Sequence, residues 1–140
     1  MSIKYFDHAA TTKIKKEVLD EMMPFLDKEY GNPSSVHIKG KNAKEAVEEA
    51  RKKVAESINA EPSEIYFTSG GSESDNTAIK CFARANKKKG NHIITTKIEH
   101  KAILESCKEL EEEGFEISYI GVDKNGIIDI KELERAISRN

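Results

Sequence analysis

Ile65-Tyr66-Phe67-Thr68-Ser69-Gly70-Gly71-Ser72-Glu73-Ser74-Asp75-Asn76 is the stretch on which the reading of this chain turns. An apolar run suited to a strand leads into two glycines and then into a helical pattern. The glycines let the backbone approach a ligand closely. The hydroxyls of Ser69, Ser72 and Ser74 are hydrogen-bond donors, and a helix beginning here adds free N–H groups and a positive dipole end. A strand-to-helix turn is where α/β proteins commonly grip a phosphate. A plain tight turn has the same appearance, and this one is neither G-x-G-x-x-G nor a P-loop. From the residues alone both readings stand.

The pattern on the C-terminal side alternates strand and helix. Glu64 to Thr68 reads as a strand and Glu73 to Lys88 as a helix, with Ala78, Ile79, Phe82 and Ala85 inward. A second strand follows at Asn91-His92-Ile93-Ile94-Thr95. Ala102, Ile103, Cys107 and Leu110 mark the next helix, and Phe115-Glu116-Ile117-Ser118-Tyr119-Ile120 the third strand. Asp129 opens a last helix, with Glu132 placed to complete a capping box. On the N-terminal side, Tyr5 to Thr12 reads as extended. A helix carries Ile14, Val18, Met22, Phe25 and Leu26 and stops near Tyr30, before the loop Gly31-Asn32-Pro33-Ser34-Ser35. A second helix carries Ala43, Ala46, Val47, Ala50, Val54 and Ile58 on one face and breaks at Asn59 to Ser63. This alternation predicts an α/β fold, a mainly parallel sheet with flanking helices. Parallel sheets are normally larger than three strands, so the sequence reads as the opening of a larger domain.

Composition narrows the function classes. The chain has 140 residues, 37% hydrophobic and 34% charged, as a globular protein does. Its 23 basic and 25 acidic residues are interspersed, giving a net charge of −2. Without a basic stripe, no direct nucleic-acid binding and no membrane association are expected. Lys87-Lys88-Lys89 falls where a helix should end and suits the helix dipole there. No apolar run approaches the roughly 20 residues of a membrane span, and Met1-Ser2-Ile3-Lys4-Tyr5 lacks a signal-peptide apolar region. Cys81 and Cys107 form no C-x-x-C and fall on apolar helix faces, which predicts buried free thiols and a reducing, cytoplasmic setting. His8, His37, His92 and His100 lack metal-ligand spacing, so no metal site is expected. The G-x-S-x-G of a hydrolase elbow is absent.

Two further segments are candidates for chemistry. His100, in Ile98-Glu99-His100-Lys101, lies just past the C-terminal end of the second strand, the edge at which α/β crevices open. It suits stacking on a planar ligand or moving a proton; it equally suits a surface histidine that caps the next helix. Glu99 is expected to serve that helix N-terminus. Gly31 to His37 is either a polar interhelical connection or a loop lining a pocket.

Taken together, five segments resemble the pyridoxal-phosphate-dependent cysteine desulfurases of the aminotransferase class V family. They are Tyr5-Phe6-Asp7-His8-Ala9-Ala10-Thr11-Thr12, Tyr30-Gly31-Asn32-Pro33-Ser34-Ser35-Val36-His37, Phe67 to Asn76, Ile98-Glu99-His100-Lys101-Ala102 and Asn125-Gly126-Ile127-Ile128-Asp129. Each alone is a modest signal; their order and spacing cover essentially the whole chain. The resemblance implies the large domain of a fold type I pyridoxal-phosphate transferase, with residues 1–14 as an arm associated with the small domain and residues 15–140 as the first part of the cofactor-binding domain. It implies that Gly71 and Ser72 bind the phosphate of pyridoxal 5'-phosphate, where relatives often carry alanine and threonine. His100 matches the histidine that stacks on the pyridine ring and assists proton transfer. Ala10, Thr11 and Asn32 match loops beside the substrate pocket.

The implied activity converts L-cysteine to L-alanine and leaves the sulfur as an enzyme-bound persulfide, for iron–sulfur cluster assembly or tRNA thiolation. A homodimer and sulfur-acceptor or scaffold proteins are the implied partners. The family's Schiff-base lysine, its ring-pairing aspartate and its persulfide-forming cysteine match nothing here, Cys81 and Cys107 included. The chain therefore reads as an N-terminal portion, inactive alone. Its rivals are a non-catalytic dimerisation or partner-binding module, a related selenocysteine or cystine lyase, and a small unrelated phosphate-binding domain. The resemblance also implies that the strand around Ile65 lacks its neighbour here, while the second and third strands pair with each other.

Overall fold

A computed structural model describes residues 3–137. It divides into two compact units, one up to Tyr66 and one from Phe67 onward.

The first unit is helical. Its extended N-terminal segment makes one turn, in which the N–H groups of Ala10 and Thr11 donate to the Asp7 carbonyl at 3.2 and 3.4 Å. Helix α1 (Lys16–Asp27) contains Pro24 and buries none of its residues. Val18, Met22 and Phe25 share an apolar face that stays about half exposed. Helix α2 (Ile38–Ser57) begins at His37, whose Nδ1 accepts from the Gly40 N–H at 3.3 Å. Two glycines seat the preceding loop on it. A Cβ at Gly31 would stand 2.3 Å from the Lys39 carbonyl oxygen, and one at Gly40 would stand 2.2 Å from that of Ser35. Only Gly40, Ala43 and Ala55 of α2 are buried, while Val54 and Ile58, expected inward, are exposed. The chain leaves α2 through Asn59, at φ 55°, a left-handed conformation that asparagine tolerates.

The first expected strand does not form. Glu64 closes a 3₁₀ turn (Pro62–Glu64) sealed by its own carboxylate on the Glu61 N–H at 2.8 Å. Ile65 is extended (φ −97°, ψ 125°), but its carbonyl accepts from the Arg51 guanidinium. No strand among the described residues pairs with it. Extended geometry without a ladder partner is not a strand, and this is the loss the resemblance implied.

The second unit carries the sheet. A helical run comprises α3 (Gly71–Asn76), a π-helical segment (Thr77–Cys81) and α4 (Phe82–Asn86). A π-helical segment inserts one residue and shifts the inward face. Ala83 is therefore buried and Ile79 half-buried, whereas Ala78, Phe82 and Ala85 face outward, against expectation. Cys81 is exposed for the same reason, and only Cys107 is the buried free thiol expected.

Strand β1 (His92–Thr96) and strand β2 (Glu116–Ile120) pair in parallel, from His92 opposite Glu116 to Thr96 opposite Ile120. The crossover is helix α5 (Lys101–Glu112), as a parallel pair requires. Gly114, at φ 86°, stops α5. Its N–H donates to the Glu111 carbonyl at 3.0 Å and the Phe115 N–H to that of Leu110 at 2.9 Å. This Schellman pair lays Phe115 against Leu110. Both are buried together with Ala83, and Ile79, Ile93 and Ile117 pack around them. Ser106, also buried, donates to the Ala102 carbonyl at 2.7 Å, so its hydroxyl is not orphaned.

Lys80 and Arg84 pair with Glu109, and Arg84 also with Glu113, along the solvent edge of α5. Pairs at a solvent edge of this kind contribute little to stability. After β2, Asp123 accepts from the N–H groups of Asn125 and Ile127 at 2.8 and 3.0 Å, with Gly126 at φ 80°. Helix α6 (Ile130–Ile137) follows. Asp129 caps it through the Lys131 N–H at 2.9 Å, as expected. Glu132 does not close the box, because its carboxylate accepts from the Gly121 N–H at 3.1 Å, tying α6 to the end of β2. No helix among the described residues is long and apolar enough to cross a membrane.

Candidate cofactor site

The turn at Phe67 to Asn76 folds as a helix N-terminus. The first backbone bond of α3 runs from the Ser74 N–H to the Gly70 carbonyl at 3.1 Å. The N–H groups of Gly71, Ser72 and Glu73 therefore have no acceptor within the helix. Gly70 is extended (φ 164°, ψ 179°), and its side supplies no cap. A Cβ added at Gly70 or Gly71 would have no atom within 4 Å, so open space stands directly beside these donors. The Ser72 hydroxyl is exposed and has no partner among the described residues, while its carbonyl accepts from the Asn76 amide at 2.7 Å.

Side chains within the turn hold its shape. The Thr68 hydroxyl lies 3.2 Å from the Gly70 carbonyl and 2.7 Å from the Ser74 hydroxyl. Glu73 folds back so that its carboxylate accepts from the Ser69 N–H at 2.6 Å. That bond, with a second from the Ser69 side chain, holds the Glu73 carboxyl below the usual range. Ser69 is thus engaged, and the helix-end donors left are the N–H groups of Gly71, Ser72 and Glu73 and the Ser72 hydroxyl. Glu73 is the residue that sequence reasoning missed. Its signal was a glutamate three positions after a glycine N-cap, which differs from the usual serine or threonine box.

His100 is the N-cap of α5. Its Nδ1 accepts from the Ala102 N–H at 3.1 Å, and its carbonyl accepts from Ile103 and Leu104 at 2.9 and 3.2 Å. The capping reading is thus correct, and it leaves Nε2 and the ring faces of this exposed residue open. Glu99 does not serve the helix end; it accepts from the Thr96 hydroxyl at 2.9 Å. Helix α3 packs against α5, so Gly71 and Ser72 lie on one helix and His100 heads its neighbour.

The remaining candidates belong to the first unit. Ala10 and Thr11 sit in the Asp7 turn. Asn32 is committed locally through Oδ1, which accepts from the Ser34 N–H at 2.9 Å, and through its carbonyl, which accepts from the Ser35 N–H at 2.9 Å. No group of three or more metal-ligating side chains occurs among the described residues. Burial pushes the Cys107 thiol up, with Glu111 and Glu99 adding to the shift, the setting of a structural cysteine.

Known structures share this fold. A NifS-like protein superposes with a TM-score of 0.88 at 46% identity, over 94% of this chain and 36% of its own. A structure of SspA in complex with cysteine does so with a TM-score of 0.87 at 42% identity, over 96% of this chain and 39% of its own. The fold is accordingly that of the fold type I pyridoxal-phosphate enzymes.

The aminotransferase class V model matches residues 4–140, and the chain belongs to that family. A cysteine desulfurase of Clostridium botulinum is 54% identical over 134 residues, which is 96% of this chain and 34% of the relative. The chain thus spans about a third of the length of the curated relatives it matches. The family's cofactor is pyridoxal 5'-phosphate. The turn fits its phosphate on the observations above: helix-end donors without acceptors, a free serine hydroxyl, and open space beside two glycines.

Proposed function

We propose that this chain is the N-terminal part of a cysteine desulfurase, which takes sulfur from L-cysteine and releases L-alanine. The observation that carries the reading is the 54% identity to a cysteine desulfurase along 96% of the chain. In balanced form, an enzyme thiol and L-cysteine give an enzyme persulfide and L-alanine. The substrate sulfur passes to the enzyme sulfur, and a proton takes its place on carbon. When bound, the pyridoxal ring supplies an electron sink for the carbon–sulfur cleavage.

The residues here hold and orient. The N–H groups of Gly71 and Ser72 and the Ser72 hydroxyl grip the phosphate, and Glu73 keeps the turn open by engaging Ser69. His100 stacks on the ring and presents Nε2 to the reacting centre. Ala10, Thr11 and Asn32 line the substrate pocket. Residues 1–14 form an arm of the small domain and residues 15–140 begin the large one. The complete protein is a cytoplasmic homodimer that passes persulfide sulfur to an acceptor or scaffold protein for iron–sulfur cluster assembly or tRNA thiolation. The Schiff-base lysine and the nucleophilic cysteine come from outside these residues.

The test is the complete protein from the source locus, with cofactor bound, given L-cysteine and a reductant. Equal amounts of alanine and sulfide are expected. Absence of alanine would contradict the assignment, and preferential use of selenocysteine or cystine in competition would move it to the related lyases.

A further inference from the structure

A backbone N–H only donates, so the 3.1 Å contact from Ala102 requires a lone pair on Nδ1 of His100. A neutral imidazole carries one ring proton, and with Nδ1 accepting it resides on Nε2. The cap is built into the fold. The His100 carbonyl receives two further N–H groups from the same turn, fixing this backbone at the head of α5. The structure gives the adjacent Glu99 carboxylate to the Thr96 hydroxyl, 2.9 Å away, and gives the ring nitrogen Nδ1 to the Ala102 N–H.

A ring in this state has nowhere to receive a proton. Nε2 already carries one, and Nδ1 can take one only by giving up the helix cap.

We propose that His100 works as a capped, neutral imidazole whose Nε2–H is a hydrogen-bond donor, and that it is not the resting base of the reaction. The inference rests on the functional reading above and deepens it. The helix end thereby sets the direction in which this residue moves charge: it donates toward a developing negative charge and does not remove the first proton.

The experiment uses the complete, cofactor-loaded protein. In ¹⁵N-histidine spectra of the resting enzyme, His100 should show an unprotonated Nδ1 and a protonated Nε2; a proton on Nδ1 would overturn the proposal. Two variants separate cap from donor. His100→Asn keeps a capping oxygen and an N–H donor, whereas His100→Asp keeps the cap and loses the donor. Both should melt near the parent temperature. Turnover by His100→Asn should exceed that by His100→Asp by about 10²-fold, the scale of one hydrogen-bond donor to a developing negative charge. If His100→Asp, which supplies a base, is the more active, the donor role is wrong. Failure of the parent protein to form alanine would sink the functional reading and the donor role with it, while the tautomer is still read from the spectrum.

Discussion

Helices α1 and α5 are each 12 residues long, and each carries an apolar stripe on a polar helix. Their fates differ. α5 buries Ser106, Cys107 and Leu110, whereas α1 buries nothing. The difference lies in what stands opposite. α5 connects two strands that pair beneath it, and its Schellman stop drives Phe115 back onto Leu110. The other α-helix of α1's own unit, α2, buries only Gly40, Ala43 and Ala55. An amphipathic pattern states that a face will be covered; it does not state by what. The stripe of Val18, Met22 and Phe25 therefore remains an apolar surface of the described residues.

Substitutions can break this comparison. In the 140-residue chain, Leu110→Ala should cost about 2–5 kcal/mol, the range for a fully buried leucine. That is enough to abolish cooperative melting of the second unit, followed by circular dichroism. Met22→Ala, at a residue 43% exposed, should leave the same transition within about 1 kcal/mol. Equal effects would mean that the two stripes are packed alike.

Thiol labelling sharpens the contrast within the second unit. Cys81 is exposed and should react with a soluble disulfide reagent without unfolding. Cys107 is 1% exposed, with its thiol pushed up by burial, and should react only as the unit opens. Equal labelling rates would contradict the π-helical shift that turns Cys81 outward.

The smallest expected effect concerns pH. N–H donors from Ile127 and Asn125 hold the Asp123 carboxyl below its usual range. Its contribution is complete above the unfolded value of about 3.9 and is lost as pH falls through the lower folded value. The Gly126 amide resonance should therefore shift only under acid conditions below that value, and Asp123→Asn should flatten the response. A transition above the usual carboxylate range would contradict the turn described here.

Much of the second unit was legible in sequence. The expected strands at 91–95 and 115–120 lie within a residue or so of His92–Thr96 and Glu116–Ile120, because short apolar runs stand between glycines and caps. The strand at Glu64 to Thr68 was not, since its formation depends on a distant partner and a local window records only the extended preference. The π-helical segment was also invisible; no residue in Thr77 to Cys81 marks it, yet it reverses the expected exposure of Phe82. Glu132 was misassigned because a capping box and a tie to Gly121 use the same carboxylate. At the candidate site, the helix-opening turn and the capping geometry of His100 were readable from glycine, serine and histidine positions. The service of Glu73 to Ser69 was not, because it spans four residues where the familiar box spans three.

Gly71 and Ser72 are the proposed phosphate grip. The most direct measurement compares pyridoxal 5'-phosphate with pyridoxal, which lacks the phosphate, on the complete apo protein and its Ser72→Ala variant. Loss of one hydrogen bond to a charged group should weaken binding of the phosphorylated form by about 10-fold or more, leaving pyridoxal unchanged. Equal weakening of both, or of neither, would contradict the assignment of this turn to the phosphate.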